Sequence, residues 1–330
     1  MNEVFKLSEG GGGGDSRLLI RKLLETLGND SLSKLDDSGV FTFNGMNFAM
    51  TTDGFVVKPI FFPGGDIGKL SVCGTLNDLA VMAAKPLAVS LALIIAEGFP
   101  KDDFEKILHS IKETLGSVPV VTGDTKVVES ASADGIFITT TGIGVQIAHP
   151  SGTKVKPGDT LIVTGSIGRH GACIMASRNE LGFAGQLESD VKLLSPILMP
   201  LFEEFGDKIH ACRDITRGGL SAMIHEFAES SGVGMEIMES SVPVDPDVKG
   251  LCMALGLDPM HLACEGRALL AVDSSIKDVV VSRLSALGEK LPSIIGCATS
   301  DHKGMAYLTT KIGGKRILES PAGEMLPRIC

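Results

Sequence analysis

A turn-rich segment at residues 149–159 constrains the fold most strongly, because it separates two long runs of helix and strand patterns. Proline and glycine recur in it, as His149-Pro150-Ser151-Gly152 and again as Pro157-Gly158-Asp159. Such dipeptides mark breaks between structured units. A chain of 330 residues is also long enough for two domains with separate cores. We therefore predict an N-terminal domain at residues 1–150 and a C-terminal α/β domain at residues 151–318.

The N-terminal half opens on a glycine run and a helical pattern of leucines. A hairpin follows, with strands at 39–43 and 46–51, because Asn44-Gly45 is typical of a tight turn between strands. The remaining patterns of this half predict a helix at 67–84, a strand at 89–95, a helix at 102–115 and strands at 118–122 and 135–146.

The C-terminal half repeats the mixture of both periodicities. It predicts strands at 160–165, 268–272 and 293–296, and helices at 170–181, 196–205, 219–230, 248–255 and 276–287. The last segment, residues 319–330, contains Pro321, Gly323 and Pro327. These residues exclude a regular helix, so we expect an extended, mobile tail that carries Cys330.

The net charge of −10 argues against nucleic acid as the main partner, because phosphate backbones require a basic surface. An acidic protein can still bind a nucleotide when divalent cations bridge the like charges. The seven cysteines contain no CxxC pair, which is typical of a reducing cytoplasm. Neither a signal peptide nor an apolar stretch long enough to span a membrane is evident.

Five aspartates stand at turns or at the ends of predicted elements. Asp37 precedes a strand, Asp53 ends one, Asp78 lies in a helix, Asp124 follows a strand, and Asp214 lies before a turn. Carboxylates in such places suit Mg²⁺, which takes oxygen ligands and usually bridges to phosphate. The alternative is that aspartate next to glycine simply makes turns.

Two glycine clusters precede helices, where backbone N–H groups can bind an anion. The first is the run from Gly10 to Gly14, which has no following Gly-Lys-Ser/Thr and equally fits a flexible linker. The second is Gly218-Gly219, which follows Arg217.

Cys330 differs from the other cysteines because it ends the chain on a segment with no apparent core role. Cys73, Cys173 and Cys252 fall on apolar helix faces and are predicted to be buried. For Cys330 two interpretations remain: a tethered nucleophile, or a frayed end.

In this order, four segments resemble the HypE family of hydrogenase maturation factors over nearly the whole chain. They are residues 53–70, 123–128, 213–219 and 326–330. The ending Pro327-Arg328-Ile329-Cys330 is the most specific. Aminoimidazole ribonucleotide synthetase, selenophosphate synthetase and thiamine-monophosphate kinase share the aspartates of the wider superfamily but not this tail.

The resemblance implies an aminoimidazole-ribonucleotide-synthetase-like α/β (α+β) fold, with an ATP-binding N-terminal domain that forms a homodimer through its sheet. It implies an ATP-dependent carbamoyl dehydratase that uses Mg²⁺. The carbamoyltransferase HypF would place a carbamoyl group on the terminal thiol, and HypE would dehydrate it to an S-cyanide. The HypC–HypD complex would accept the cyanide for the iron of a [NiFe]-hydrogenase.

The resemblance also assigns residues. It implies catalytic roles for Cys330, which is also the modified residue, for Glu265 as a base and for Lys126 as a cation near the reacting oxygen. The implied metal ligands are Asp37, Asp53, Asp78 and Asp214. The implied ATP-binding residues are Gly12, Gly13, Asp53, Asn77, Asp78, Gly123, Asp124, Thr125, Lys126 and Arg217.

One departure and two rival functions remain. The family commonly begins with His-Gly-x-Gly-Gly, whereas Glu9 precedes the glycines here. The rivals are a sister synthetase or kinase that acts on a small molecule, and a nucleotide-binding scaffold without turnover. Cys330 argues against the first, and the set of aspartates with Lys126 and Glu265 argues against the second.

Overall fold

In the computed structural model, residues 4–10, 14–29, 31–178, 187–319 and 328–330 are described. The α-helices of this part of the chain are α1 (Gly14–Leu27), α2 (Ile67–Val81), α3 (Lys101–Leu115), α4 (Arg169–Ser177), α5 (Ser195–Phe205), α6 (Gly219–Ser231), α7 (Pro246–Leu255) and α8 (Lys277–Ala286). None of them is long and apolar enough to cross a membrane.

A five-stranded sheet forms the N-terminal layer, in the order β1-β2-β7-β5-β6. Its strands are β1 (Gly39–Phe43), β2 (Met46–Phe55), β5 (Ala84–Ala96), β6 (Val120–Val128) and β7 (Ile136–Gln146), while the short β3 (Phe61–Phe62) and β4 (Gly65–Asp66) pair with each other. Among the described strands of the five-stranded sheet, β5 and β6 are parallel and the other neighbouring pairs are antiparallel. Helix α2 packs on one face of it, and α3 packs against α2.

A seven-stranded sheet forms the C-terminal layer, in the order β14-β13-β10-β12-β8-β11-β9. Its strands are β8 (Thr160–Val163), β9 (Ile209–Asp214), β10 (Gly234–Met238), β11 (Ala268–Val272), β12 (Ser293–Thr299), β13 (Ala306–Thr309) and β14 (Lys315–Ile317). Strands β8, β9 and β11 are buried along their whole length, because helices pack on both faces of this sheet.

Helix α2 lies between the two layers and contacts both. The Asp66 carboxylate caps its start by accepting the backbone N–H groups of Gly68 and Lys69 at 2.7 and 3.0 Å. One side of the helix packs on β2, β7 and α3, and another packs on α5 and β9 of the C-terminal domain. Nearly every residue of α2 is therefore buried, which explains its apolar sequence on all sides.

The uncovered face of the five-stranded sheet, here called the outer face, carries exposed apolar side chains. Strand alternation and register place Phe41, Met50 and Ile94 on it, and all three are exposed. The same alternation places Asp53 and its neighbour Thr51 on the opposite, inner face, towards α2. The sheet therefore presents one buried face, in which Asp53 and Thr51 lie among core side chains, and one exposed face with several apolar side chains.

Most elements predicted from the sequence are confirmed, and the main errors concern strand length. The hairpin turn is where Asn44-Gly45 predicted it, with φ of 50° and 76°. Strand β2 runs to Phe55, so Asp53 lies inside a strand and not at its end. Strand β6 likewise runs through Asp124, which was expected to follow it. Six strands, β3, β4, β9, β10, β13 and β14, were missed.

Candidate active site

Three carboxylates from three separate elements meet beside α2. Asp37 lies two residues before β1, Asp78 in the last turn of α2, and Asp214 at the end of β9. One oxygen from each lies within 4.8 Å of the others. We call these residues the aspartate cluster. Both domains contribute to it.

The three carboxylates of the cluster are held close together, so their negative charges repel one another. Burial is the main cause that raises the pKa of Asp78 and Asp214 well above the usual range, and the neighbouring carboxylates raise it further. The pKa of Asp37 rises to about 6, mainly through burial and against the opposing guanidinium of Arg213. Asp37 Oδ2 is buried without a hydrogen-bond partner among the described residues. A divalent cation would offset these costs, so the cluster fits Mg²⁺.

Asp53 stands next to the aspartate cluster and not within it. Its carboxylate accepts a hydrogen bond from Thr75 Oγ1 at 2.8 Å, and burial raises its pKa. Its charge is among the causes that raise the pKa of Asp37, Asp78 and Asp214. Of the four predicted metal ligands, the structure thus brings three together and leaves the fourth at their side.

Asn77 joins the two domains. Its buried amide donates to the carbonyl oxygens of Lys192 at 3.0 Å and Glu265 at 3.4 Å, and its oxygen accepts the N–H of Leu194 at 2.7 Å. The amide predicted to bind ATP is therefore engaged by the protein backbone. This geometry gives Asn77 a structural place, since it fixes α2 against the loop that bears Glu265.

Glu265 is fully enclosed in the loop before β11. Its backbone N–H donates to Asp190 Oδ1 at 3.0 Å, whereas its Oε1 is buried without a partner among the described residues. A Cβ on the next residue, Gly266, would lie 2.0 Å from the Asp190 carbonyl oxygen, so only glycine permits this approach. Burial raises the pKa of Glu265 well above 4.5, Asp214 and Asp190 add to the rise, and Arg217 opposes it.

The described end of the tail, residues 328–330, lies inside this site. The N–H groups of Val56 and Lys58 donate to the carbonyls of Cys330 and Arg328, both at 3.1 Å, in an antiparallel arrangement. Burial raises the pKa of the Cys330 thiol to about 12, and the Glu265 carboxylate is the next cause. Pro321, Gly323 and Pro327, on which the expectation of a mobile tail rested, lie outside the described residues.

Arg217 supplies positive charge on the Glu265 and Cys330 side of the site. Its guanidinium lowers the pKa of Asp53, Glu265 and Cys330, against the larger effect of burial. Its Nη1 also donates to the carbonyl of Gly10 at 2.9 Å, which brings the glycine-rich N-terminus to the site. Gly12 and Gly13 themselves lie outside the described residues.

The predicted residues on β6 do not join the aspartate cluster within one chain. The register pairs Asp53 with Thr140, Thr140 with Leu91, and Leu91 with Gly123, a separation of three strands or roughly 14 Å. Asp124 and Lys126 lie on the outer face, whereas Asp53 lies on the inner face.

Strand β6 is an exposed edge. Lys126 Nζ donates to both oxygens of Asp124, at 2.7 and 2.5 Å, and both side chains are more than half exposed. Thr125 is exposed as well. Gly123 has a packing reason, because a Cβ there would lie 2.2 Å from the Leu91 carbonyl oxygen. Within one chain, the ATP-binding residues predicted on β6 therefore lie apart from the aspartate cluster, and their roles stay a prediction.

Several site residues were missed from the sequence. Thr51 donates to Asp78 Oδ2 at 2.5 Å, and Arg213 pairs with Asp37 at 3.4 Å. Arg213 directly precedes Asp214, so that motif carried a usable signal. Asp190 and His170 carried none, since each depends on contacts distant in sequence. Cys73, Cys173 and Cys252 are buried, as predicted.

This fold and site define a class. Residues 35–146 match AIR synthase related protein, N-terminal domain, and residues 156–308 match AIR synthase related protein, C-terminal domain. The two-domain fold class predicted from the sequence is confirmed.

Closer relatives narrow the class. The chain is 41% identical to carbamoyl dehydratase HypE of Rhizobium leguminosarum bv. viciae, over 100% of this chain and 96% of that protein. A HypE structure in complex with ATP is 37% identical, with a TM-score of 0.83, covering 99% of this chain and 100% of that one. The structure of a HypE-HypF complex matches with 38% identity and a TM-score of 0.88, covering 92% and 99%. The chain belongs to the carbamoyl dehydratase HypE family, as its motifs predicted.

Proposed function

We propose that this protein uses ATP to dehydrate an S-carboxamide on its own Cys330 to an S-cyanide, which supplies the cyanide ligand of hydrogenase iron. One observation carries the proposal: the terminal residue lies at the site, because the carbonyl of Cys330 accepts the N–H of Val56 at 3.1 Å, directly after the strand that bears Asp53. Glu265 raises the pKa of its thiol and Arg217 lowers it. A thiol placed there has no role in a kinase acting on a free small molecule. It is the expected substrate of a carbamoyl dehydratase.

ATP is the proposed cofactor, in keeping with the HypE relative solved with ATP. The aspartate cluster would hold Mg²⁺, with Asp53 beside it, and Arg217 would attract the phosphates. When bound, the cation would neutralise charge on the transferred phosphoryl group. Burial of Asp37 Oδ2 without a partner supports this assignment, because a buried carboxylate oxygen requires a compensating group.

The chemistry divides between two groups of the chain. The γ-phosphoryl group passes to the carboxamide oxygen, with cleavage of its bond to ADP. The carbon–oxygen bond then breaks as phosphate leaves, and the nitrogen loses its two protons to give the C≡N bond. Glu265 is the proposed base for the nitrogen, because a raised pKa makes its carboxylate a stronger proton acceptor. Arg217 stabilises negative charge on the oxygen.

Lys126 and Asp124 fit this proposal through a homodimer. The outer face exposes Phe41, Met50 and Ile94, and it also carries Asp124 and Lys126 on the edge strand β6. Exposed apolar surface next to an unpaired edge is typical of an interface. We propose that a second copy covers this surface, and that Lys126 and Asp124 act at the nucleotide bound by the partner subunit.

The other partners follow from the reaction. HypF would supply the carbamoyl group, in keeping with the HypE relative solved with HypF, and the HypC–HypD complex would take the cyanide. All seven cysteines are free, which suits the reducing cytoplasm that we propose for the reaction.

The test follows the last peptide by mass. The protein is incubated with HypF, carbamoyl phosphate and Mg-ATP. The terminal peptide should gain one carbamoyl group and then lose one water only when ATP is hydrolysed. A carbamoyl group that never loses water, or a modification on another cysteine, would contradict the proposal. Cys297, which is exposed, is the matched control, so Cys297→Ala should behave as the wild type.

A further inference from the structure

His170, at the start of α4, is fully buried and contacts the tail. Its Nε2 lies 2.8 Å from the carbonyl oxygen of Ile329, the residue before Cys330. A carbonyl oxygen only accepts hydrogen bonds, so Nε2 carries the hydrogen. The ring therefore donates to the peptide bond that leads to the reactive residue.

A second contact fixes this tautomer. His170 Nδ1 lies 2.7 Å from Ser189 Oγ, and the same oxygen accepts the N–H of Val191 at 3.1 Å. The serine hydroxyl hydrogen is thus left to donate to Nδ1. Burial lowers the pKa of His170, which favours the neutral ring that this arrangement needs.

The surroundings show that the contact positions the tail. Ile329 is buried in the main core, and Phe62 packs edge-on against the His170 ring at 5.4 Å. Arg178, just after α4, donates to the carbonyls of Arg328 and Lys58, both at 3.0 Å. One helix and the residue after it therefore hold two successive carbonyls of the tail.

We propose that His170 is a positioning residue that holds the tail inward, with the Cys330 thiol beside Glu265. The reason for holding the tail inward rests on the proposed function, whereas the alkylation experiment below tests the contact without it. Release of the hydrogen bond frees the tail to reach its carbamoyltransferase, and its formation returns the modified thiol to the site. Ser189 acts through His170 by selecting the Nε2–H tautomer.

Alkylation of Cys330 by iodoacetamide measures the outward fraction of the tail without any turnover. His170→Phe keeps the ring volume and removes the donor, so alkylation of the terminal peptide should become about tenfold faster. His170→Gln retains a donor at similar reach and should stay within about twofold of the wild type. Exposed Cys297 provides the internal reference, and its rate should not change.

Ser189→Ala should raise the alkylation rate of Cys330 by a smaller factor. This variant tests the positioning role if His170→Phe does not fold. The matched control is Ser177→Ala. Ser177 lies in the same helix as His170 but donates to the Cys173 carbonyl, so its removal should leave the alkylation rate of Cys330 unchanged. The proposal is overturned if folded His170→Phe alkylates at the wild-type rate, or if His170→Gln and His170→Phe rise equally.

A second readout separates this proposal from the proposed function. In carbamoylated protein, His170→Phe should slow dehydration in a single turnover while ATP affinity stays unchanged. If the wild type never dehydrates but alkylation follows the predicted order, the proposed function fails and the positioning role stands. If the wild type dehydrates and alkylation ignores His170, the positioning role fails alone.

Discussion

Neutralising one member of the aspartate cluster should stabilise the protein when no metal is bound. Asp37→Asn is the sharpest case, because burial raises the pKa of Asp37 from 3.8 to about 6. A rise of this size corresponds to about 3 kcal/mol of folding free energy. Since the folded pKa lies above the unfolded one, the favourable contribution is complete below about pH 4 and is lost as the pH rises through about 6.

We therefore expect the free energy of unfolding of Asp37→Asn in EDTA to exceed that of the wild type by about 3 kcal/mol near pH 8. This difference is net of the pairing with Arg213, 3.4 Å away, which lowers the pKa of Asp37. Near pH 4 the two proteins should be equally stable. Mg²⁺ should reverse the order near pH 8, since it binds the charged cluster of the wild type and not the neutralised one.

Urea denaturation at both pH values, with EDTA or with Mg²⁺, measures these differences. Asp102→Asn removes the same charge from the first turn of α3, which is remote from the cluster. It should cost at most about 0.5 kcal/mol at either pH value. Equal pH dependence in Asp37→Asn and the wild type would refute the idea that this carboxylate is held against repulsion.

Three further predictions concern the reaction and the assembly. Glu265→Gln should bind ATP and accept the carbamoyl group, yet lose water at least about a hundredfold more slowly, as followed by mass spectrometry. Cys330→Ala should bind ATP with wild-type affinity in calorimetry and never gain the carbamoyl mass. Met50→Arg should be monomeric by light scattering and lose the contribution of Lys126, whereas Met253→Arg, on the exposed side of α7, should remain dimeric.

The sequence predicted elements best where the signal was local. Asn44-Gly45 defines its turn through backbone conformations that those residues tolerate, and β11 was predicted at its observed bounds. The length of β6, in contrast, was not determined by nearby residues. Pairing with β5 carries that strand through Gly123 and Asp124, although both residues usually end strands.

The site shows the same contrast between local signals and long-range pairing. Asp37, Asp78 and Asp214 were predicted from their places next to turns and element ends, and the structure brings their carboxylates together, whereas Glu265 came from the family resemblance. Which face of a strand a residue occupies depends on pairing register, so the separation of Lys126 from Asp53 could not be derived from spacing. His170 and Asp190 could not be predicted for a related reason, because their hydrogen-bond partners lie in distant segments of the sequence.

The position of α2 between the two layers has a mechanical consequence. A helix buried on every side cannot slide or tilt without opening both cores, and Asn77 fastens its end to the second domain. The two domains should accordingly unfold as one cooperative unit, with the amides of α2 among the slowest to exchange with solvent. Hinge closure is then a poor way for this protein to regulate access to its site. In the reaction that we propose, the motion belongs to the segment that carries Cys330, and the rest of the molecule serves as a rigid frame for it.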